Sequence, residues 1–296
     1  MKKEIDSKQS LTAEIIASDL SPFSTHDPDP TATSNSISTS TSNSEHAANV
    51  ATINHRIFLV RHGDVDVASG TCYGQLDCAV TSSFSKDLQK LINYVQTHCL
   101  FPERQKQHHE KKLDLPIIIT SPLKRCAQLA EGLQTYFDNN YSGTKDLTSK
   151  GSASKESLPK NAPLKSPVQI NHAFKEINFG QWEGLSWQSI GQKNIEEWNN
   201  DLLDFTFPSG ESARAFDQRV VNAWRALQQQ LAEHTKSQQV IIICHAGVIR
   251  SILSNFLQIP LQHSLTLQID KMSVSSLMLL PNQSALSRCT AINHQL

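Results

Sequence analysis

The sequence predicts an α/β domain built on a doubly wound, mostly parallel central sheet with helices on both faces. Two observations carry this. The runs Ile57-Phe58-Leu59-Val60, Ile117-Ile118-Ile119-Thr120 and Val240-Ile241-Ile242-Ile243-Cys244 are short, apolar and β-branched, and read as buried strands. Between them lie stretches whose apolar residues recur at helical spacing. Strands alternating with helices argue for a parallel sheet covered on both sides.

Taken in order, residues 1–52 are expected to form a disordered tail. From about Ser21 to Asn49 the chain is Ser, Thr, Asn, Asp and Pro with almost nothing to bury. Packing there cannot offset the entropy of ordering. A single domain is expected over 53–296. Its first strand, 57–60, runs into Arg61-His62-Gly63. Ser82 to His98 then places Leu88, Leu91, Ile92 and Val95 on one helical stripe. The basic stretch Glu103 to Lys112 carries His108-His109, read as a solvated loop rather than a metal site.

After the strand 117–120, Ser121-Pro122 reads as an N-cap and first helical residue. That helix continues to Phe137 through Leu123, Cys126, Leu129, Ala130 and Leu133. Residues 138–167, rich in Ser, Lys, Gly and Pro, read as a disordered insertion. Between Gly184 and Glu211 lie Trp187, Trp198, Phe205 and Phe207, suited either to stacking on a flat ring or to a small satellite core. Glu211 to Glu233 forms a helix with Phe216, Val220, Trp224, Leu227 and Leu231 on one stripe. The strand 240–244 is followed by a helix over Val248–Leu257, and Ser273 to Leu280 supplies the last strand.

This order places chemistry at one edge of the sheet. Open α/β sheets bind ligands at the carboxyl ends of their strands. Arg61 and His62 leave one such strand, and His245 leaves another. Arginine clamps phosphate oxygens bidentately, and a neutral imidazole nitrogen can attack phosphorus. Arg125 lies about one turn into a helix whose N-terminus faces the same edge, a position that favours anions.

Together these residues resemble the histidine phosphatase superfamily, the branch that includes phosphoglycerate mutases. The likeness rests on Arg61-His62-Gly63, on Ser121-Pro122-Leu123-Lys124-Arg125, and on the block from Glu176 through Phe179-Gly180, Trp182-Glu183-Gly184. It also rests on Gly210-Glu211-Ser212 and on His245-Ala246-Gly247-Val248-Ile249-Arg250. Within the superfamily, Cys72-Tyr73-Gly74-Gln75-Leu76-Asp77 and the Phe-Gly-x-Trp-Glu-Gly block are most similar to α-ribazole phosphatases.

The resemblance implies a phosphoglycerate mutase-like fold and a metal-independent phosphomonoesterase without a cofactor. His62 would be the nucleophile that becomes phosphohistidine. Arg61 and Arg125 would bind the phosphate, with Gly74 and Gln75 beside them. His245 would donate to the oxygens in flight, and Glu176 would protonate the leaving oxygen and then activate water. Glu183, the other carboxylate of that block, is expected to brace the turn before Gly184. The implied partner is a small phosphomonoester, α-ribazole 5′-phosphate or the corresponding phosphorylated cobalamin. A sugar-phosphate phosphatase, a mutase and a catalytically silent phosphate-binding protein are the alternatives. Relatives often carry threonine at the positions of Val65 and Leu129, which bears on substrate detail and leaves the charged core intact.

One rival motif overlaps the site. Cys244 to Ser251 satisfies the Cys-x5-Arg pattern of cysteine phosphatases, in which a thiolate attacks. It lacks the flanking histidine and glycine of that family and gives no role to Arg61, His62, Arg125 or Glu176. Cys244 is therefore expected to be a buried strand thiol.

Composition excludes other classes. A net charge of −1 over 296 residues offers no basic stripe for nucleic acid. Six cysteines without a CxxC pair suggest neither a zinc site nor a disulfide framework. No apolar run approaches a membrane span, and no signal-peptide core follows Met1-Lys2-Lys3, so a cytoplasmic location is expected.

Overall fold

The computed structural model describes residues 53–100, 115–141, 168–281 and 283–296. The expected tail, the His108-His109 stretch and the expected insertion beyond Tyr141 lie outside them.

Six strands form one sheet: β1 (His55–Arg61), β2 (Ile117–Thr120), β3 (Gln169–Ile170), β4 (Gln239–Cys244), β5 (Ser273–Leu279) and β6 (Arg288–Gln295). Their order is β3-β2-β4-β1-β5-β6. β3, β2, β4 and β1 run parallel, whereas β5 and β6 are antiparallel to their neighbours. Among the described residues the α-helices are α1 (Phe84–Val95), α2 (Lys124–Tyr141), α3 (Trp187–Ile190), α4 (Gln192–Asn200), α5 (Ala213–Ala232) and α6 (Ala246–Leu257). Among the described residues, no helix is long and apolar enough to cross a membrane.

The central strands read as unbroken apolar runs because both faces of the sheet are covered. Side chains alternate along a strand. Ile57 and Leu59 of β1, with Val240 and Ile242 of β4, pack against Phe216, Val220 and Trp224 of α5 and Ile249 and Ile252 of α6. Phe58, Val60, Ile241 and Ile243 face the other way, onto Leu91 and Val95 of α1 and Leu129, Leu133 and Phe137 of α2. Helices therefore cover both faces, as predicted.

Several boundaries differ from those the sequence suggests. α2 begins at Lys124, not Pro122. Its first turn closes on the carbonyl of Leu123, which accepts from the Cys126 and Ala127 amides. Asp77, distant in sequence, caps it by accepting from the Lys124 amide at 2.7 Å. α2 also runs on to Tyr141, so Asp138 to Tyr141 are helical rather than the start of an insertion. α1 ends in a π-helical turn over Gln96–Leu100. Ser273–Leu279 is not the last strand, because β6 pairs outside it. Arg288–Gln295 is a half-exposed edge strand with mostly polar residues, and so gives little hydrophobic signal.

Candidate active site

β1, β2 and β4 are neighbours, and their carboxyl ends lie level. Arg61 pairs with Cys244 and Thr120 with Ile243. The His62 amide donates to the Cys244 carbonyl at 3.1 Å, and the Ser121 amide to the Ile243 carbonyl at 3.0 Å. His62, Ser121 and His245 thus step off three adjacent strands side by side.

His62 is buried, with its two ring nitrogens in different roles. Nδ1 lies 2.7 Å from the Gly63 carbonyl, which can only accept, so Nδ1 carries the proton. Nε2 is 3.1 Å from Nε of Arg125, which can only donate. The Nε2 lone pair is therefore directed at the guanidinium. Burial, then the Arg125 and Arg61 charges, hold the imidazole well below the ordinary histidine range. The ring is neutral at neutral pH, as a nitrogen nucleophile must be.

Arg125 is 2 % exposed and is gripped on its far side. Nη1 donates to the Leu76 carbonyl at 2.8 Å and Nη2 to the Gly74 carbonyl at 2.5 Å. The Tyr73 ring lies beneath it, with the guanidinium carbon 5.7 Å from the ring centroid. Arg61 is buried as well, and its Nη1 donates to the Ile269 carbonyl at 2.6 Å. Two guanidinium charges acting on one imidazole make this edge of the sheet electropositive.

His245 stands across from His62, the ring centroids 5.1 Å apart and the planes at 66°. Its Nε2 is 2.8 Å from the Ser121 hydroxyl, and the Cys126 sulfur lies 3.6 Å from the same atom. Burial, then the charge of Arg125, hold this ring too well below the usual histidine range. Nδ1, the other ring nitrogen, lies 3.8 Å from the Cys126 sulfur.

The two carboxylates of the Glu176–Gly184 block separate clearly. Glu176 accepts from the Gly247 amide at 3.0 Å and from its own neighbour Ile177 at 3.1 Å. Its carboxylate thus lies at the N-terminus of α6, two residues beyond His245. A side chain at Gly247 would collide with it. Glu183 instead accepts from four backbone amides, those of Gly74, Gln75, Leu76 and Phe179, at 2.7–3.1 Å. Its carboxylate is consumed in bracing the loop that grips Arg125.

That geometry also shows where Gly74 and Gln75 act. Their amides are taken by Glu183, the Gly74 carbonyl holds Arg125, and the Gln75 side chain donates to the Glu176 carbonyl at 3.1 Å. Both touch the binding residues rather than presenting their amides to a ligand. Gly74 is required there, since a Cβ would strike the Ile177 carbonyl.

Two further residues position the site, and local sequence gave no cue to one of them. Arg219 of α5 donates to the carbonyls of Ala173, Lys175 and Glu176 and pairs with Glu211 at 2.6 Å. Glu211 in turn accepts from the Asn178 amide at 2.9 Å. Together they clasp the loop that carries Glu176. Glu211 stood in the Gly-Glu-Ser motif, whereas Arg219 belongs to none of the motifs the sequence singled out.

The cysteine motif does not form a phosphate loop. Cys244 is fully buried, and burial pushes its thiol well above the ordinary range. Arg250 turns its Nε to the Leu267 carbonyl at 2.8 Å. The aromatic residues between Gly184 and Glu211 pack mainly on one another and on Phe179 and Trp182. Trp187 stacks on Trp198 at 6.1 Å, and Phe207 meets Trp182 edge-on at 5.0 Å. Trp182, Trp198 and Phe207 are buried, forming the satellite core.

Comparison with known proteins agrees with this architecture. The chain is 27% identical over 108 residues to the adenosylcobalamin/alpha-ribazole phosphatase of Escherichia coli K12, covering 36% of this chain and 51% of that protein. It thus spans about half the length of this curated relative. A solved putative alpha-ribazole-5′-P phosphatase from the same organism superposes with a TM-score of 0.59 at 20% identity, over 81% of this chain and 97% of its own. A mycobacterial glucosyl-3-phosphoglycerate phosphatase gives 0.58 at 17% identity, over 82% and 100%. These structural likenesses speak for the fold. Residues 154–291, which include Glu176, Glu183 and His245, match the model of the histidine phosphatase superfamily (branch 1). The sheet edge joins to them the Arg61-His62 pair and Arg125 from outside that span, and the part of the chain that matches the histidine phosphatase superfamily model is residues 154–291.

Proposed function

We propose that this protein is a metal-independent phosphomonoesterase that works through a phosphohistidine at His62. The observation that carries the reading is the imidazole itself: Nδ1 is tied to the Gly63 carbonyl and Nε2 presents its lone pair to the Arg125 guanidinium. Phosphate binding alone needs only the arginines, so this tautomer favours catalysis over a silent binding protein.

Arg125 Nε now holds the Nε2 lone pair. An incoming phosphate oxygen takes that donor, which uncovers Nε2 as the substrate arrives. Nε2 then forms a bond to phosphorus while the bond from phosphorus to the ester oxygen breaks. The leaving oxygen takes a proton from the Glu176 carboxylic acid. Water next attacks the phosphohistidine and gives a proton to the Glu176 carboxylate. Inorganic phosphate departs and His62 is restored. Arg61, Arg125 and His245 stabilise the charge on the transferring group. The arginines supply the positive field that a metal would otherwise provide, so EDTA leaves turnover intact.

For the substrate, the Escherichia coli relatives and the Tyr73-Gly74-Gln75 loop support α-ribazole 5′-phosphate or the phosphorylated cobalamin. A second reading is a broader small-phosphomonoester or sugar-phosphate phosphatase. One observation favours it: the aromatic rings suited to a benzimidazole are committed to their own satellite core. Both readings share the same first test. His62→Ala abolishes hydrolysis of p-nitrophenyl phosphate, and Cys244→Ser retains most of it. An active His62→Ala enzyme with a dead Cys244→Ser one would reverse the assignment. A kcat/KM at least a hundredfold higher for α-ribazole 5′-phosphate than for simple sugar phosphates selects the first substrate, and equal values select the second.

A further inference from the structure

The segment Leu267–Met272 is fastened to the site at both its ends. Arg61 holds the Ile269 carbonyl, and the Met272 amide donates to the His62 carbonyl at 3.4 Å. Asp270, between them, receives the side chains of Gln268, Asn293 and Gln295, and its own amide donates to Asn293 Oδ1 at 2.6 Å. The loop is thereby tied to β6 and to the nucleophile together. From this rigid base Lys271 extends its ammonium to Asp64, Nζ to Oδ1 2.9 Å. Asp64 is two residues past His62.

We propose that Lys271 is a third phosphate-binding cation, parked on Asp64 and transferred to the phosphoryl group when a ligand enters. Three observations lead there. The ammonium is held on Asp64, two residues past His62, by a loop that both Arg61 and His62 anchor. The Asp64 carboxylate that holds it is 57 % exposed and Lys271 31 % exposed, and an ion pair between solvated groups is weak. A phosphate dianion already fixed by two arginines offers the ammonium more charge than one solvated carboxylate does. Val65, the residue after Asp64, is buried and apolar and brings no side-chain donor. The charge of Lys271 is also among those that hold His62 neutral.

The inference rests on the reading of this pocket as a phosphate site, and the test keeps the two apart. Competitive inhibition by inorganic phosphate is measured for the full-length enzyme with p-nitrophenyl phosphate as substrate. In Lys271→Met the inhibition constant rises about tenfold, the loss of one charge-assisted hydrogen bond. Lys271→Arg restores part of it, because arginine keeps the charge at that reach. Asp64→Asn, which releases the ammonium, makes phosphate bind more tightly than to the natural enzyme. Thermal melting checks that each variant is folded. An unchanged inhibition constant in folded Lys271→Met would overturn the proposal, as would weaker phosphate binding in Asp64→Asn. Failure of the underlying reading looks different: the natural enzyme itself would then neither hydrolyse p-nitrophenyl phosphate nor respond to phosphate.

Discussion

At the scale of single residues, the protonation of His62 organises the site. Burial and two arginines depress its pKa, so protonation sets in only below the ordinary histidine range. The acidic limb of kcat/KM is therefore expected below about pH 6.5, the unperturbed histidine value. Arg125→Met removes one of the charges responsible and moves that limb upward, as a pH–rate profile on the residual activity would reveal. A limb that stays put would deny Arg125 this influence. The same shift has a consequence for stability. His62 and His245 have lower pKa values folded than unfolded, so below about pH 6.5 the unfolded chain binds protons that the folded one refuses. Stability is full above that pH and falls as the solution is acidified through it. Denaturant titrations at pH 7.5 and 5.5 check the sign, and greater stability at pH 5.5 would contradict it. His62, Arg61 and His245 were legible in the sequence because each directly follows an apolar strand, and strand ends are where such sheets bind. The surroundings of Gly74 and Gln75 were not. Their amides are claimed by Glu183, more than a hundred residues away, and no local pattern encodes such a contact.

At the scale of elements, the loop from Ala173 to Asn178 is the part most dependent on long-range support. Arg219 and Glu211 hold its carbonyls and an amide, while the N-terminus of α6 holds the Glu176 carboxylate. If Glu176 is the proton donor, Glu176→Gln slows phosphoryl transfer from an alkyl phosphate far more than from p-nitrophenyl phosphate, whose leaving group needs no proton. Burst kinetics isolate that step, and equal slowing would remove Glu176 from the role. Arg219→Met is expected to show the same leaving-group bias more weakly, together with a loss of about 2 kcal/mol in stability from carbonyls left without a donor. A stability loss without the bias would make Arg219 structural only. Helical spacing announced α1, α2 and α5, because each buries a stripe. It did not announce β6, a polar edge strand, nor the late start of α2, whose cap comes from Asp77 rather than from Ser121. Ser121 is turned instead to His245.

At the scale of the whole molecule, the site is assembled from segments far apart in the chain: 61–63, 74–76, 121–126, 176–183 and 245–247. The sheet order brings them together, since β1 lies between β4 and β5 and β2 flanks β4. All these segments belong to the compact unit Asn54–Leu296. Removing residues 1–52 should therefore leave turnover nearly unchanged, a comparison of kcat/KM being sufficient. A large fall would mean that the tail contributes to the site.

The central claim is that His62 becomes covalently phosphorylated. Rapid acid-free quenching of the enzyme during turnover of a 32P-labelled monoester, followed by peptide mapping, tests it most directly. The account predicts an acid-labile, base-stable label on the peptide containing His62, absent from His62→Ala. A label on the Cys244 peptide, or an active His62→Ala enzyme, would contradict it.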